Sequence, residues 1–333
     1  MSVTIKDIAK SAGVSYSTVS KALLNSPLVK DDTKRKIVAI AQELGYQPNA
    51  AARSLVSKKS NTIGVVWPNV ERDVHAALIT KINKRLEEHN YTTLMSINNI
   101  SDAVNTFNRF QVDAILVFDG DGKTDYFSST VPVVVYGLAK HENPYPVVDV
   151  NRKFAIKNAV HYLNRMGHNK ITYIGDLPSD PFQVEKVIGF KQALHECQIE
   201  NHPNSLISVG GMDQYDGYMA TKKLLETEKP TAIICGSHDL SKGVLRAVSE
   251  NNLKVPDDIS IISYDNLPHK ESEGGNKPIS IVGVPLDKIT DKLTEILIDL
   301  VNKKEVEDSI MLSPELNITN SCKPINIDKK LSL

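Results

Sequence analysis

The apolar residues of this chain follow two different periods. Between residues 4 and 44 they recur at helical spacing; from residue 61 they gather into short uninterrupted runs. In the first stretch, Ile8, Ala9 and Ala12 share one face of a helix that starts near Ile5, with Thr4 and Asp7 spaced as a capping box. Gly13 breaks that helix, Val14 plugs the corner, and Ser15 caps a second helix that turns Val19, Ala22 and Leu23 inward. A third helix is predicted over 31–44, ending at Gly45, with Ile37, Ile40, Ala41 and Leu44 as a lid.

Strand-length apolar runs at 62–67, 92–97, 114–118 and 133–136 alternate with helical segments near 74–89, 101–110 and 152–166. A second series places runs at 171–174, 206–209, 232–235 and 259–263, with helices near 183–197, 213–227 and 239–251. Alternating strand and helix predicts doubly wound α/β structure, in which parallel sheets are covered on both faces. Ligands of such sheets sit beyond the carboxyl ends of the strands. The roughly 270 residues after the helical head are too many for one small core and suit two.

Charge divides the chain at the same place as period. Residues 1–60 hold ten Lys and Arg against four acids, a net of +6, whereas the remainder holds 29 against 36 and carries −7 of the overall −1. A basic head on an acidic body predicts a polyanionic partner for the head alone. The second helix turns Tyr16, Ser17, Ser20 and Lys21 outward. These are hydrogen-bonding groups and one cation, the chemistry that reads base edges and phosphates in a major groove of double-stranded DNA. The Lys34-Arg35-Lys36 run is expected to flank phosphates.

The order TIKDIAKSAGVSYSTVSKAL, LGYQPNAAARSL and SNTIGVV resembles the LacI/GalR family of bacterial transcription regulators. The likeness continues through PVVVYG at 132–137, YLNRMGHNKITYIG at 162–175, IGFKQAL at 188–194 and VPDDISIISYDN at 255–266, so it covers nearly the whole chain. It implies an α/β architecture with an N-terminal helix-turn-helix head at 1–48 and a hinge helix and linker at 49–60. A two-lobed, periplasmic-binding-protein-like core would follow, with the first lobe at 61–155 plus 285–308 and the second at 156–284 plus 309–333. It also adds Thr4, Thr18 and Asn25 to the expected DNA-contacting residues of the head.

In the hinge the resemblance implies DNA contact by Asn49, Ala52, Arg53 and Leu55, with Leu55 wedged between central base pairs of the minor groove. An isolated helix this short is marginal in water, so the hinge is expected to be helical only on DNA. Asp265 stands where the family uses an aspartate to accept hydrogen bonds from ligand hydroxyls, a task two carboxylate oxygens suit. Elsewhere in the pocket the sequence departs from the family pattern. Lys186 replaces the usual Arg, Ser237-His238 the usual Asn-Asp, Met212 an apolar platform that is often aromatic, and Val74-His75 an aromatic pair, with Arg72 close by. An effector site of His75, Lys186, Met212, His238 and Asp265 would be more cationic than a neutral-sugar pocket. The expected effector is therefore a sugar acid such as a hexuronate, its carboxylate taken by Lys186 with help from His238 or His75.

Other chemistry is largely excluded. Cys197, Cys235 and Cys322 are odd in number and unpatterned, which opposes a disulfide framework or a zinc site. The acidic loop at 119–125 places Lys123 where a calcium site needs an oxygen ligand. The motifs G-x-S-x-G, G-x-G-x-x-G and H-E-x-x-H and a Walker loop are absent, so neither an enzyme nor a cofactor is expected. The opening helix lacks a signal-peptide apolar region and no stretch approaches membrane-spanning length, so the expected location is the cytoplasm, associated with the nucleoid. The tail after Cys322 is too short for a tetramerising coil, which leaves a homodimer on a near-palindromic operator. The expected function is a repressor of carbohydrate-catabolism genes released by a small-molecule inducer. A corepressor- or phosphocarrier-dependent regulator is the alternative; a solute-binding protein fits the head and hinge poorly, and a sugar-modifying enzyme would need a nucleophile or base constellation that the sequence does not offer.

Overall fold

The computed structural model describes residues 3–23, 25–46, 59–120, 127–138, 144–265, 267 and 278–325, and the hinge residues Asn49, Ala52, Arg53 and Leu55 lie outside this set. The described residues form two units, 1–60 and 61–333. In the first, helix α1 (Ile5–Ala12) begins at Thr4, whose backbone N–H and hydroxyl both donate to the Asp7 carboxylate, at 2.9 and 2.7 Å. Gly13 ends it in the left-handed region at φ 70°, a conformation that costs glycine little. The Ser15 hydroxyl accepts from the Thr18 N–H at 3.2 Å and so caps α2 (Tyr16–Leu23). Helix α3 (Asp31–Glu43) closes the core over Ile8, Ala12, Val19 and Ala22 with Ile37 and Ala41, and Val29 joins them from the preceding loop.

The second unit holds two six-stranded sheets. The first runs β11-β5-β4-β3-β1-β2, all parallel, from β1 (Thr62–Val66), β2 (Thr92–Ser96), β3 (Ala114–Asp119), β4 (Val133–Gly137), β5 (Val147–Val150) and β11 (Ser309–Leu312). The second runs β12-β10-β9-β8-β6-β7, from β6 (Ile171–Asp176), β7 (Leu206–Ser208), β8 (Ala232–Cys235), β9 (Ser260–Tyr264), β10 (Ser280–Gly283) and β12 (Glu315–Asn317). In this sheet only the β10–β12 pair is antiparallel.

Helices cover both faces of each sheet. In the first lobe, α4 (Asp73–Glu88) and α10 (Leu286–Val301) bury Leu78, Ile82, Leu86, Leu293 and Leu297 on one face, and α5 (Ile100–Phe110) buries Val104 and Phe107 on the other. In the second lobe, α6 (Arg152–Arg165) and α7 (Pro181–Glu196) cover one face, and α8 (Gln214–Thr227) and α9 (His238–Glu250) cover the other. Each fully buried Leu or Ile contributes about 1.5–3 kcal/mol relative to an exposed one. Helices α8 and α9 touch through glycine: a Cβ on Gly217 would meet the Leu240 carbonyl, and one on Gly243 the Gln214 carbonyl.

The expected lobe boundaries need correction at two points. Strand β11 pairs in register with β5, Ser309 opposite Val147, so residues 309–312 belong to the first sheet rather than the second lobe. Residues 152–155 belong to the second lobe, because α6 packs Ala155 and Ile156 against β6 and β8. The chain therefore crosses between lobes after β5, after β10 and after β11. At the first crossing Arg152 is buried. Its Nη1 lies 2.6 Å from Asp149 and 3.3 Å from Glu185, and its guanidinium sits 3.8 Å from the Phe182 ring centroid. Among the described residues, no helix is long and apolar enough to cross a membrane.

Candidate effector cleft and nucleic-acid face

Where the two sheets point their carboxyl ends at each other, a cavity of about 660 Å³ opens. Its size falls within the range of small-molecule sites. The segment after β1 supplies Pro68, Asn69, Arg72 and His75, and that after β2 supplies Asn99 and Ser101. Phe118 comes from the end of β3, Ser179, Asp180 and Phe182 from beyond β6, and Met212 from beyond β7. Phe118 is held by stacking on buried Trp67, centroids 4.4 Å apart, and Phe182 stands 6.2 Å away across the lobes. Asp180 is already engaged, since its side chain caps α7 by accepting from the Phe182 N–H at 2.8 Å.

Of the five expected effector residues, His75 and Met212 line this cavity, whereas Lys186, His238 and Asp265 do not. Lys186 is 2 % exposed, and its ammonium donates to the Gly236 carbonyl at 2.8 Å and lies 3.6 Å from the Tyr264 ring centroid. Burial pushes its pKa down to about 7, against the opposing pull of Asp265. Lys186, expected to receive the carboxylate, instead ends on the Gly236 carbonyl and the Tyr264 ring within the second lobe and is not part of the cavity lining. His75 cannot assist as a cation. His75 Nδ1 faces the Asn69 carbonyl at 2.8 Å, which fixes that nitrogen as the N–H donor, and its ring meets Trp67 and Phe118 edge-on. Burial, then Arg72, lowers its pKa to about 4, so it is neutral near pH 7. His238 opens α9 with its Nε2 3.9 Å from Asp73.

Arg72 provides the cation at the cavity wall. From the N-cap of α4 in the first lobe, its Nη2 donates to Asp265 Oδ2 at 2.8 Å and its Nε faces Asp239 Oδ2 at 3.8 Å, both in the second lobe. Asp265 sits in the left-handed region at φ 69° and accepts a second bond from the His238 backbone N–H at 3.4 Å. Burial would raise the Asp265 carboxyl, but Arg72 and Lys186 outweigh it and hold the pKa below the ordinary value. Asp239 moves the other way. Burial raises it to about 6, opposed by Arg72 and assisted by Asp73 and Asp265. A second ion pair spans the lobes beside it, Lys242 to Asp73 at 2.5 Å. In the sequence Arg72 is a neighbour of the expected pocket with no assigned role. A cation directly before the helix that follows β1 was the available signal.

In the head, Thr4, Tyr16, Ser17, Lys21 and Asn25 are exposed and Thr18 and Ser20 half-buried, while Val19 and Ala22 point into the core. Ser15, Ser17 and Thr18 form a hydroxyl cluster, with oxygens 2.8–2.9 Å apart, at the N-terminal end of α2. The Lys34-Arg35-Lys36 run is engaged within the head, with Lys34 on Asp31, Arg35 on Asp32, and Lys36 donating to the Ala12 carbonyl at 3.2 Å. Lys36 thereby satisfies an orphan carbonyl at the end of α1. Among the described residues, no cluster of three or more His, Cys, Asp or Glu could hold a metal ion.

Comparison with known proteins places both halves. The profile of bacterial regulatory proteins of the lacI family matches residues 4–49, and that of periplasmic binding protein-like domains matches residues 160–322. Catabolite control protein A of Priestia megaterium is 32% identical over 94% of this chain and 97% of its own length. The probable HTH-type transcriptional repressor ExuR of Bacillus subtilis (strain 168) is 30% identical over 96% of this chain and 98% of its own. Among solved structures, the lac repressor dimer bound to operator and the anti-inducer ONPF superposes with a TM-score of 0.82 at 22% identity, covering 97% of this chain and 100% of that one.

Proposed function

The chain belongs to the LacI family of bacterial regulatory proteins, and on that premise we propose that it represses carbohydrate-catabolism genes by binding operator DNA that a small polyhydroxylated effector makes it release. One observation carries the reading. A single chain joins a basic head, whose α2 exposes Tyr16, Ser17 and Lys21, to a body whose lobes enclose a polar and aromatic cavity at their strand ends. The head supplies hydrogen-bonding groups at groove-reading positions. The cavity supplies aromatic faces and convergent amide, hydroxyl and guanidinium groups, as a sugar or sugar acid requires.

A ligand held by both lobes binds one lobe arrangement better than another, so it shifts that equilibrium by its differential affinity. Residues 49–60 are the hinge through which the shift reaches the DNA, with Leu55 as the minor-groove wedge and Asn49, Ala52 and Arg53 beside it. One recognition helix reads few base edges, so two heads in a homodimer read a near-palindrome, its half-sites about one DNA turn (~34 Å) apart.

The test is selection of bound sites from random DNA by the purified protein, followed by anisotropy titration of the selected operator with and without sugars and sugar acids. A near-palindromic site whose affinity falls with effector is expected. An effector that tightens operator binding makes the protein a corepressor-dependent regulator. Selection that recovers no preferred sequence overturns the reading.

A further inference from the structure

We infer that Arg72 is the residue that selects a carboxylate-bearing sugar, and that Asp265 and Asp239 position its guanidinium rather than contact the sugar hydroxyls themselves. The inference rests on the carbohydrate-effector reading above and deepens it. Arg72 lines the cavity, and Asp265 and Asp239 do not. A guanidinium has five N–H donors in a rigid plane. Nη2 gives one to Asp265 at 2.8 Å, and buried Nε faces Asp239 at 3.8 Å. Among the described residues, the two N–H groups of Nη1 and the second of Nη2 have no partner, and they form a pair of neighbouring nitrogens that matches the two oxygens of a carboxylate.

Three features favour an acid over a neutral sugar. The guanidinium is held before any ligand arrives by its hydrogen bond to Asp265 and a longer ion pair to Asp239, both from the opposite lobe, so less side-chain order remains to be imposed on binding. It is partly desolvated, its side chain only 19 % exposed, so a charge-assisted bond there is screened less than at the surface. And Asp265, the hydroxyl acceptor implied by family resemblance, has Oδ2 occupied by Arg72 and the His238 N–H. An acid on Arg72 would be coupled to the second lobe indirectly, through the Asp265 carboxylate that shares the same guanidinium.

The experiment is calorimetry of galacturonate, glucuronate and gluconate, with galactose and glucose as neutral partners, on the full chain and on Arg72→Gln, Arg72→Lys, Asp265→Asn and Asp239→Asn. The parent should bind at least one acid more tightly than its neutral partner. Arg72→Gln should weaken that acid about tenfold to a hundredfold, the scale of a charge-assisted hydrogen-bond pair, while neutral sugars change by less than about threefold. Arg72→Lys, which keeps the charge without the fork, should fall between and tests the point if Arg72→Gln does not fold. Asp265→Asn should also weaken the acid selectively; a merely structural role would weaken both classes alike. Neutral sugars that bind Arg72→Gln more tightly than the parent would make Arg72 a plug over Asp265 and overturn the inference. A parent that binds neutral sugars but no acid overturns it and leaves the carbohydrate reading standing. A parent that binds neither class overturns both.

Discussion

Replacing Lys186 with Met should stabilise the body, and by an amount that depends on pH. The Lys186 ammonium is buried on the Gly236 carbonyl and the Tyr264 ring, and burial depresses its pKa to about 7 from 10.5. The unfolded chain therefore binds more protons than the folded one between those values, and stability rises with pH through that window, by about 1.4 kcal/mol per unit. Below pH 7 the full cost of burying the charge is present, on the order of 5 kcal/mol; by pH 9 it has fallen to about 2 kcal/mol. Methionine fills a similar volume without charge but leaves the Gly236 carbonyl without its donor, at a cost of about 1–3 kcal/mol. The balance predicts a variant more stable than the parent by about 2–4 kcal/mol at pH 6 and nearly equal to it at pH 9. Urea unfolding of the body, followed at pH 6, 7, 8 and 9, measures the difference, since this range lies above the titration of the coupled Asp265 carboxylate and covers the Lys186 window. Parallel stability profiles for parent and variant would refute the argument. The same variant should bind effector as the parent does, because Lys186 lies outside the cavity wall.

Arg152→Ala should destabilise the body by about 3–5 kcal/mol in the same assay, because it leaves the Asp149 carboxylate buried without its cation. His75 should titrate with a midpoint near 4 in ring-proton NMR. Its neutral form is the one folded in, so its share of stability is present above pH 6.5 and is lost as pH falls toward 4. Leu55→Ala should weaken operator binding at least tenfold while leaving effector affinity unchanged, as read by anisotropy and calorimetry, because only a kinked operator uses the wedge. Lys21→Ala should weaken operator binding too. A loss uniform across operator variants would assign Lys21 to a phosphate, and a loss confined to one base position to a base edge.

Much of this molecule is written locally in its sequence. The capping pair Thr4 and Asp7, the break at Gly13, the inward triad of α2 and the strand-length runs from Ile63 to Tyr264 all depend on neighbours within a few positions. Periodicity and turn chemistry were therefore enough to place the head, the alternating lobes and the strand ends where a ligand would sit. Charge segregation between residues 1–60 and the remainder is likewise a property of the sequence alone. The effector site is different. Which cations reach the cavity depends on where long side chains end, and Lys186 and Arg72 end in opposite places. Lys186 runs inward along Tyr264 to the Gly236 carbonyl, while Arg72 crosses to Asp265, 193 positions further along the chain. Likewise β11 joins the first sheet because its backbone groups pair with β5, a partner more than 150 residues earlier that no local period reveals. Hydrogen bonding and desolvation at such distances are decided when the lobes pack, because a charge keeps its ordinary pKa in water and loses it only where the fold removes the water.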